Sequence, residues 1–290
     1  MRGSPDAAMH RRRLLRELRR ARKGAGLSQK QVADDLGWSI SKLLRIENGQ
    51  VSVSKTDLRA LLELYQIADA QQVHEFEDMA RLGRYQPWSP YGDVLNKDFI
   101  TYLGFEGAAS TIRQYEPVFV PGLLQTEDYA RMVIRRLAGQ SMPAAVIERQ
   151  VETRLLRQAL LEQPGPPTML VILDEAVVRR CLGGDAEAAG VMRRQLEKLE
   201  ELESRPNIEI SVVPFSAGFH PRMFIPFVIL EFPDPEDDDL LYVEDGKRSV
   251  ATRDNADEIT RHKAMFWDLQ EATSSVSLHD MITRVTNDGS

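Results

Sequence analysis

Apolar positions along the chain follow two different periods. From Arg11 to about Gln163 they recur every three or four residues, the spacing of helices that bury one face. Leu14, Leu18 and Ala21 mark a first helix, and Gly24 and Gly26 break it. Short helices are predicted at 28–36, 39–47 and 54–65, each opened by a serine suited to cap it: Ser28, Ser39 and Ser54. A fifth, over 70–84, carries Val73, Phe76, Met79, Ala80 and Leu82. The breakers in Gln86-Pro87-Trp88-Ser89-Pro90-Tyr91-Gly92 end this head. Helices are expected again at about 95–112, 126–138 and 144–162, with the turn Val120-Pro121-Gly122 between the first two.

The pattern changes after Pro164-Gly165-Pro166-Pro167. Met169-Leu170-Val171-Ile172-Leu173 is a continuous apolar run, as in a strand buried on both faces. Ile208, Ile210 and Val212 alternate with Glu209 and Ser211, the period of a half-buried strand. Phe227 to Phe232 and Leu240 to Val243 complete about four strands, with helices around 175–180, 186–203 and 255–272. The acidic run Asp234 to Asp239 reads as a solvated loop. The expected class is α+β: an all-α five-helix head, then a mixed α/β body with a roughly four-stranded sheet. Residues 1–10 are expected as a disordered arm, 11–86 as the head, 87–280 as the body and 281–290 as a tail.

Charge changes the picture. The 290 residues carry a formal net charge of −7, which by itself argues against a nucleic-acid partner. The distribution reverses that. Residues 1–60 hold 14 Lys and Arg against 6 Asp and Glu, a net of +8, and residues 61–290 hold 23 against 38, a net of −15. A basic head on an acidic body is the asymmetry of a nucleic-acid-binding module joined to something else. The single cysteine, Cys181, allows no intramolecular disulfide. Neither a signal peptide nor a run of ~18 apolar residues is found, so a cytoplasmic protein without a membrane span is expected.

The most informative stretch runs from Leu27 to Gly49. Two short helices crossing steeply need a very short turn between them. Ala33 is small where the helices must approach, and Gly37 can take a left-handed turn conformation. Val32, Leu36, Leu43 and Ile46 then point to one core. Gln29 and Ser39 stand at helix N-termini, where amides and side chains can grip phosphates. The helix over 39–47 would lie in the major groove, presenting Ile40, Ser41, Lys42 and Arg45. Arg45 can donate two bonds to a guanine edge, Ile40 can pack on a thymine methyl, Ser41 is permissive, and Lys42 suits a phosphate. The run Arg11-Arg12-Arg13 with Arg16, Arg19 and Arg20 is either a solvated face or an arm adding phosphate contacts.

This stretch resembles the XRE-type helix-turn-helix family, which includes phage repressors and many bacterial regulators. The resemblance implies that Ile40, Ser41 and Arg45 read bases and that Gln29, Ser39 and Lys42 contact phosphates; Arg12 is added from the basic run. It also implies a structural ion pair between Arg22 and Glu47. Leu44 departs from the pattern, being apolar where a polar residue is usual. The expected partner is double-stranded DNA. Because one such head reads few base pairs, a homodimer on two half-sites ~34 Å apart is expected.

The body carries no phosphate loop, dinucleotide fingerprint or G-x-S-x-G elbow, and its histidines lack metal-ligand spacing. Asp174 and Glu175, at the end of a strand, read as caps of the next helix. No enzyme, cofactor or metal is expected. The segments Ile112–Ala130, Val213–Pro221 and Phe227–Glu244 resemble the C-terminal domain of actinomycete XRE-type regulators, a domain of unknown function described as antitoxin-like. That resemblance implies a body that senses a small protein partner or a small-molecule effector. Tyr115, Leu124, Phe219 and His220 are the candidate pocket residues. The alternative is an antitoxin-like interaction protein that binds a small partner and autoregulates through its head.

Overall fold

The computed structural model describes residues 7–49, 51–85, 87–139, 142–218, 224–244, 249–253, 255–273 and 277–288. It divides into two compact units, Met1–Ser89 and Pro90–Ser290.

The head is five helices, α1 (Ala7–Gly24), α2 (Gln29–Asp35), α3 (Ile40–Glu47), α4 (Lys55–Leu64) and α5 (Ala70–Leu82). Four of them start on a side chain that accepts a first-turn amide: Ser28, Ser39, Ser54 and Asp69. One apolar core joins Leu14 and Leu18 of α1 to Val32, Leu43, Ile46, Leu58, Leu61 and Phe76. The first helix starts earlier than expected. Ala7 and Met9 are buried. Gly83, just past α5, lies so close to the Arg11 backbone that a Cβ there would come within 2.9 Å of it. Residues 7–10, expected in a disordered arm, are therefore helical; residues 1–6 lie outside the described part.

The body is built on a sheet of six strands, not the roughly four expected: β1 (Thr111–Glu116), β2 (Thr168–Asp174), β3 (Ile208–Val213), β4 (Phe227–Glu231), β5 (Leu240–Glu244) and β6 (Ser249–Thr252). Their order is β3-β2-β1-β4-β5-β6. β1, β2 and β3 are parallel neighbours, and β4, β5 and β6 add antiparallel beyond β1. The parallel pairs require crossovers. α7 (Glu127–Ala138) and α8 (Ala144–Gln158) supply the first, and α9 (Glu175–Arg179) and α10 (Ala186–Glu203) the second. α6 (Lys97–Glu106) precedes β1.

β1 lies inside the sheet although its sequence, Thr-Ile-Arg-Gln-Tyr-Glu, reads as polar. Part of it was expected to continue the helix over 95–112. The polar groups find partners across the sheet and along the strand: Arg113 Nε meets Glu231 Oε1 of β4 at 3.1 Å, and Gln114 donates to Glu116 at 2.7 Å. One sheet face packs Tyr115, Ile172, Phe227, Ile229 and Leu241 against α11 (Ala256–Ala272), through Ile259, Met265, Phe266 and Leu269. The expected tail is a helix, α12 (Leu278–Asp288), with Leu278, Met281 and Ile282 buried. The acidic run is not simply solvated: Asp237 is buried, and Asp239 pairs with Lys263 at 2.6 Å.

Candidate nucleic-acid interface

α2 and α3 form the helix pair of the head. Gly37 stands between them at φ +64°, and Trp38 N donates back to Ala33 O at 2.8 Å, closing the turn. Ser28 and Gln31 form a reciprocal capping box on α2, and Ser39 accepts from Lys42 N at 3.2 Å to start α3. α3 turns Leu43, Ile46 and Glu47 inward. Ser41 and Arg45 face solvent on the opposite side, Ile40 is exposed in the first turn, and Leu44 is half-buried beside them. Ile40 is 46% exposed, unusual for an isoleucine in a domain that has a core to receive it.

The rear of α3 is anchored by a buried polar cluster. Arg22 Nε donates to Glu47 Oε1 at 2.7 Å, and Arg22 Nη1 donates to Leu27 O at 2.8 Å. Gln29 Nε2 donates to Glu47 Oε2 at 2.7 Å. Glu47 thus ties α1, the first residue of α2 and the last of α3 together. Burial and the Glu47 charge push the nearby Tyr65 hydroxyl up to about 12, so it stays a neutral phenol at physiological pH. Arg19 donates to Glu47 O and Arg11 to Gly49 O, the carbonyl end of α3, where cations are favoured by the helix dipole.

These contacts sort the basic residues singled out in the sequence. Arg11 and Arg19, with no local signal beyond their place in the basic run, are clamps on α3. Arg12 is on α1 and partly exposed, so it belongs to a helix and not to a free arm. Lys42 Nζ lies 2.6 Å from Asp57 Oδ1 of α4 and 3.8 Å from the centroid of the Trp38 ring, so its charge already has a partner within the head. Gln29, at the start of α2 and partly exposed, has its side-chain amide on Glu47. Arg45 is exposed, and its Nε reaches Ser41 O at 3.3 Å.

The body residues fall differently. Tyr115 and Leu124 have no accessible surface, so neither lines an open pocket; both are packing residues of the interior. Phe219 and His220 lie outside the described residues. Asp174 caps α9 by accepting from Ala176 N at 2.8 Å. Glu175 accepts from Phe215 N at 2.6 Å and pairs with Arg179, which fastens the loop after β3.

Glu116, at the end of β1, is a carboxyl held well above its ordinary value. Burial pushes it up to about 7; the Gln114 hydrogen bond opposes this and the Glu244 charge reinforces it. A carboxyl whose folded value is raised holds its proton while the unfolded chain has lost it. Its cost therefore grows as pH rises from about 4.5 to about 7 and stays constant above. Glu116→Gln is expected to leave stability unchanged near pH 4 and to raise it by up to about 3 kcal/mol at pH 8. Urea unfolding of parent and variant across that range checks this; a pH-independent difference would contradict it.

A family model described as a helix-turn-helix domain matches residues 13–76. The head is thus a helix-turn-helix module, and it points to a DNA-binding regulator. A second model, a domain of unknown function (DUF5753), matches residues 99–282, more than half of the chain, and the chain belongs to that family. No curated protein and no solved structure matches it. Among the described residues, no helix is long and apolar enough to cross a membrane.

Proposed function

We propose that this protein is a sequence-specific transcriptional regulator of the XRE type, working in the cytoplasm as a homodimer on double-stranded DNA. The observation that carries the reading is the outward face of α3. Ile40, Ser41 and Arg45 are exposed on a helix held from behind by Arg22, Glu47, Gln29 and Arg19. Rigid support behind an exposed mixed face is what base reading requires: side chains must reach base edges without the helix shifting. In this reading Arg45 meets a guanine and Ile40 a thymine methyl. The starts of α2 and α3, at Gln29 and Ser39, meet phosphates. Lys42 joins them only by exchanging Asp57 for a phosphate, and Arg12 contributes from the side of α1.

The body, on this reading, is no enzyme; it dimerises and senses a partner protein or ligand. Its net charge of −12, from 21 Lys and Arg against 33 Asp and Glu over residues 87–290, favours a second reading, in which a small basic protein is the main partner and DNA binding serves autoregulation. Full-length protein incubated with fragmented genomic DNA at near-physiological salt tests the first reading. Enrichment of a short palindromic site is expected, and retention without a shared sequence would sink it. Arg45→Ala is expected to weaken binding to that site by about 1–3 kcal/mol and to relax selectivity at one base. Unchanged discrimination in a binding assay against single-base operator variants would mean that Arg45 reads nothing.

A further inference from the structure

Between α7 and α10 lies an open cleft of about 560 Å³, within the range of small-molecule sites. Its walls are unexpected in so acidic a body: Arg131, Arg135 and Arg136 come from α7 and Arg194 from α10. Arg131 is structural, paired with Glu127 at 2.6 Å and Glu148 at 2.9 Å. Arg194 meets Asp128 at 2.9 Å yet remains about half exposed. Arg135 is 58% exposed and only 3.8 Å from its nearest carboxylate oxygen, on Glu148. Arg136 lies against the Gly183 backbone, where a Cβ would collide with its Nη2, just before the start of α10. Arg136 thus lies beside the start of α10, which Asp185 caps, and the exposed Arg135 lines the same cleft, which also holds apolar surface from Met132 and Val191.

We infer that this cleft binds a nucleoside di- or triphosphate. Guanidinium forks suit phosphate oxygens bidentately. The cleft also carries Asp128 and Glu187. These carboxylates repel a bare polyphosphate or an approaching DNA backbone, but they accept from ribose hydroxyls or a base amino group. Met132 and Val191 offer an apolar seat to a base. A nucleotide satisfies all three sets of groups at once; inorganic phosphate and duplex DNA satisfy only the arginines.

The inference deepens the ligand-sensing reading of the body, and it is tested without DNA so that its failure is distinct from failure of the DNA-binding reading. Calorimetric titration of the full-length protein with ADP and with ATP is expected to show one site per chain, with Kd at or below about 100 µM. Pyrophosphate is expected to bind at least about tenfold more weakly. The double variant Arg135→Gln/Arg136→Gln, altering two exposed side chains, is expected to lose at least about tenfold in nucleotide affinity with an unchanged circular dichroism spectrum. Failure of both nucleotides to bind below about 1 mM, equal affinity in the double variant, or pyrophosphate binding as tightly as ADP would each overturn the assignment. So would loss of DNA binding, in place of nucleotide binding, in the double variant.

Discussion

Glu47→Ala is expected to destabilise the head by about 3–5 kcal/mol, enough to unfold it at moderate temperature while the body stays folded. The side chain is 3% exposed and its oxygens take bonds from Arg22 and Gln29. Removing it strands the Arg22 guanidinium, itself only 9% exposed, with one remaining partner, Leu27 O. An uncompensated buried charge costs far more than the net worth of the pair that neutralised it. The double variant Arg22→Met/Glu47→Leu removes both charges, and is expected to recover most of the loss. Urea unfolding of the three proteins by far-ultraviolet circular dichroism checks this. A single-variant loss under about 1 kcal/mol would mean that the core alone holds α3. The functional consequence follows the same path: a recognition helix released from α1 and α2 should lose specific DNA affinity even though no DNA-facing residue has changed.

In the body, Arg157→Met is expected to cost about 3–5 kcal/mol. Arg157 of α8 makes a bidentate pair with Glu106 of α6, at 2.7 and 3.0 Å, with both side chains buried. Tyr102 donates to the same carboxylate at 2.5 Å, and burial followed by the Glu106 charge holds its phenol well above the ordinary value. The guanidinium also lies 5.1 Å from the Phe99 ring and close under Gly122, where an added Cβ would come within 3.1 Å of Nη1. One side chain therefore joins α6, α8 and the turn after β1. Methionine keeps much of the stem's volume and leaves Glu106 without its counter-charge. Gly122→Ala, which only crowds the guanidinium, is expected to cost less, about 1–2 kcal/mol. Thermal unfolding of the full chain ranks the two; a Gly122→Ala loss equal to that of Arg157→Met would place the effect in the turn instead of the ion pair.

The head was largely legible in the sequence because its signals are local. Serine caps, a glycine in a four-residue turn and apolar residues three or four apart act within one or two helical turns, and they placed α2 to α5 within about two residues of their bounds. Less was legible in the body. β1 carries Arg113, Gln114 and Glu116, so no hydrophobic period announced it; Glu231 lies 118 residues along the chain from Arg113. α12 is a different case: Ser277 caps it by accepting from Asp280 N, and Leu278, Met281 and Ile282 stand at helical spacing, so its signal is local and lies in the sequence although the tail expectation did not use it.

The candidate site divides in the same way. The sequence by itself determined that Ser41 and Arg45 occupy the outward face of α3, because helical period and the burial of Leu43 and Ile46 leave them no other direction; Ile40, three residues before Leu43, shares the buried stripe by period, and only the structure exposes it, in the first turn. It also determined that the head is basic and the body acidic. Only the tertiary structure decided which arginines of the basic run are spent within the head, since their acceptors are main-chain carbonyls at the end of another helix, a group every residue carries and no composition reveals. The same holds for Lys42, drawn to Asp57, and for Tyr115 and Leu124, which look like pocket residues in a loop-rich sequence and are closed in by packing. Charge and period are properties of the chain; the partner that each charge meets is a property of the fold.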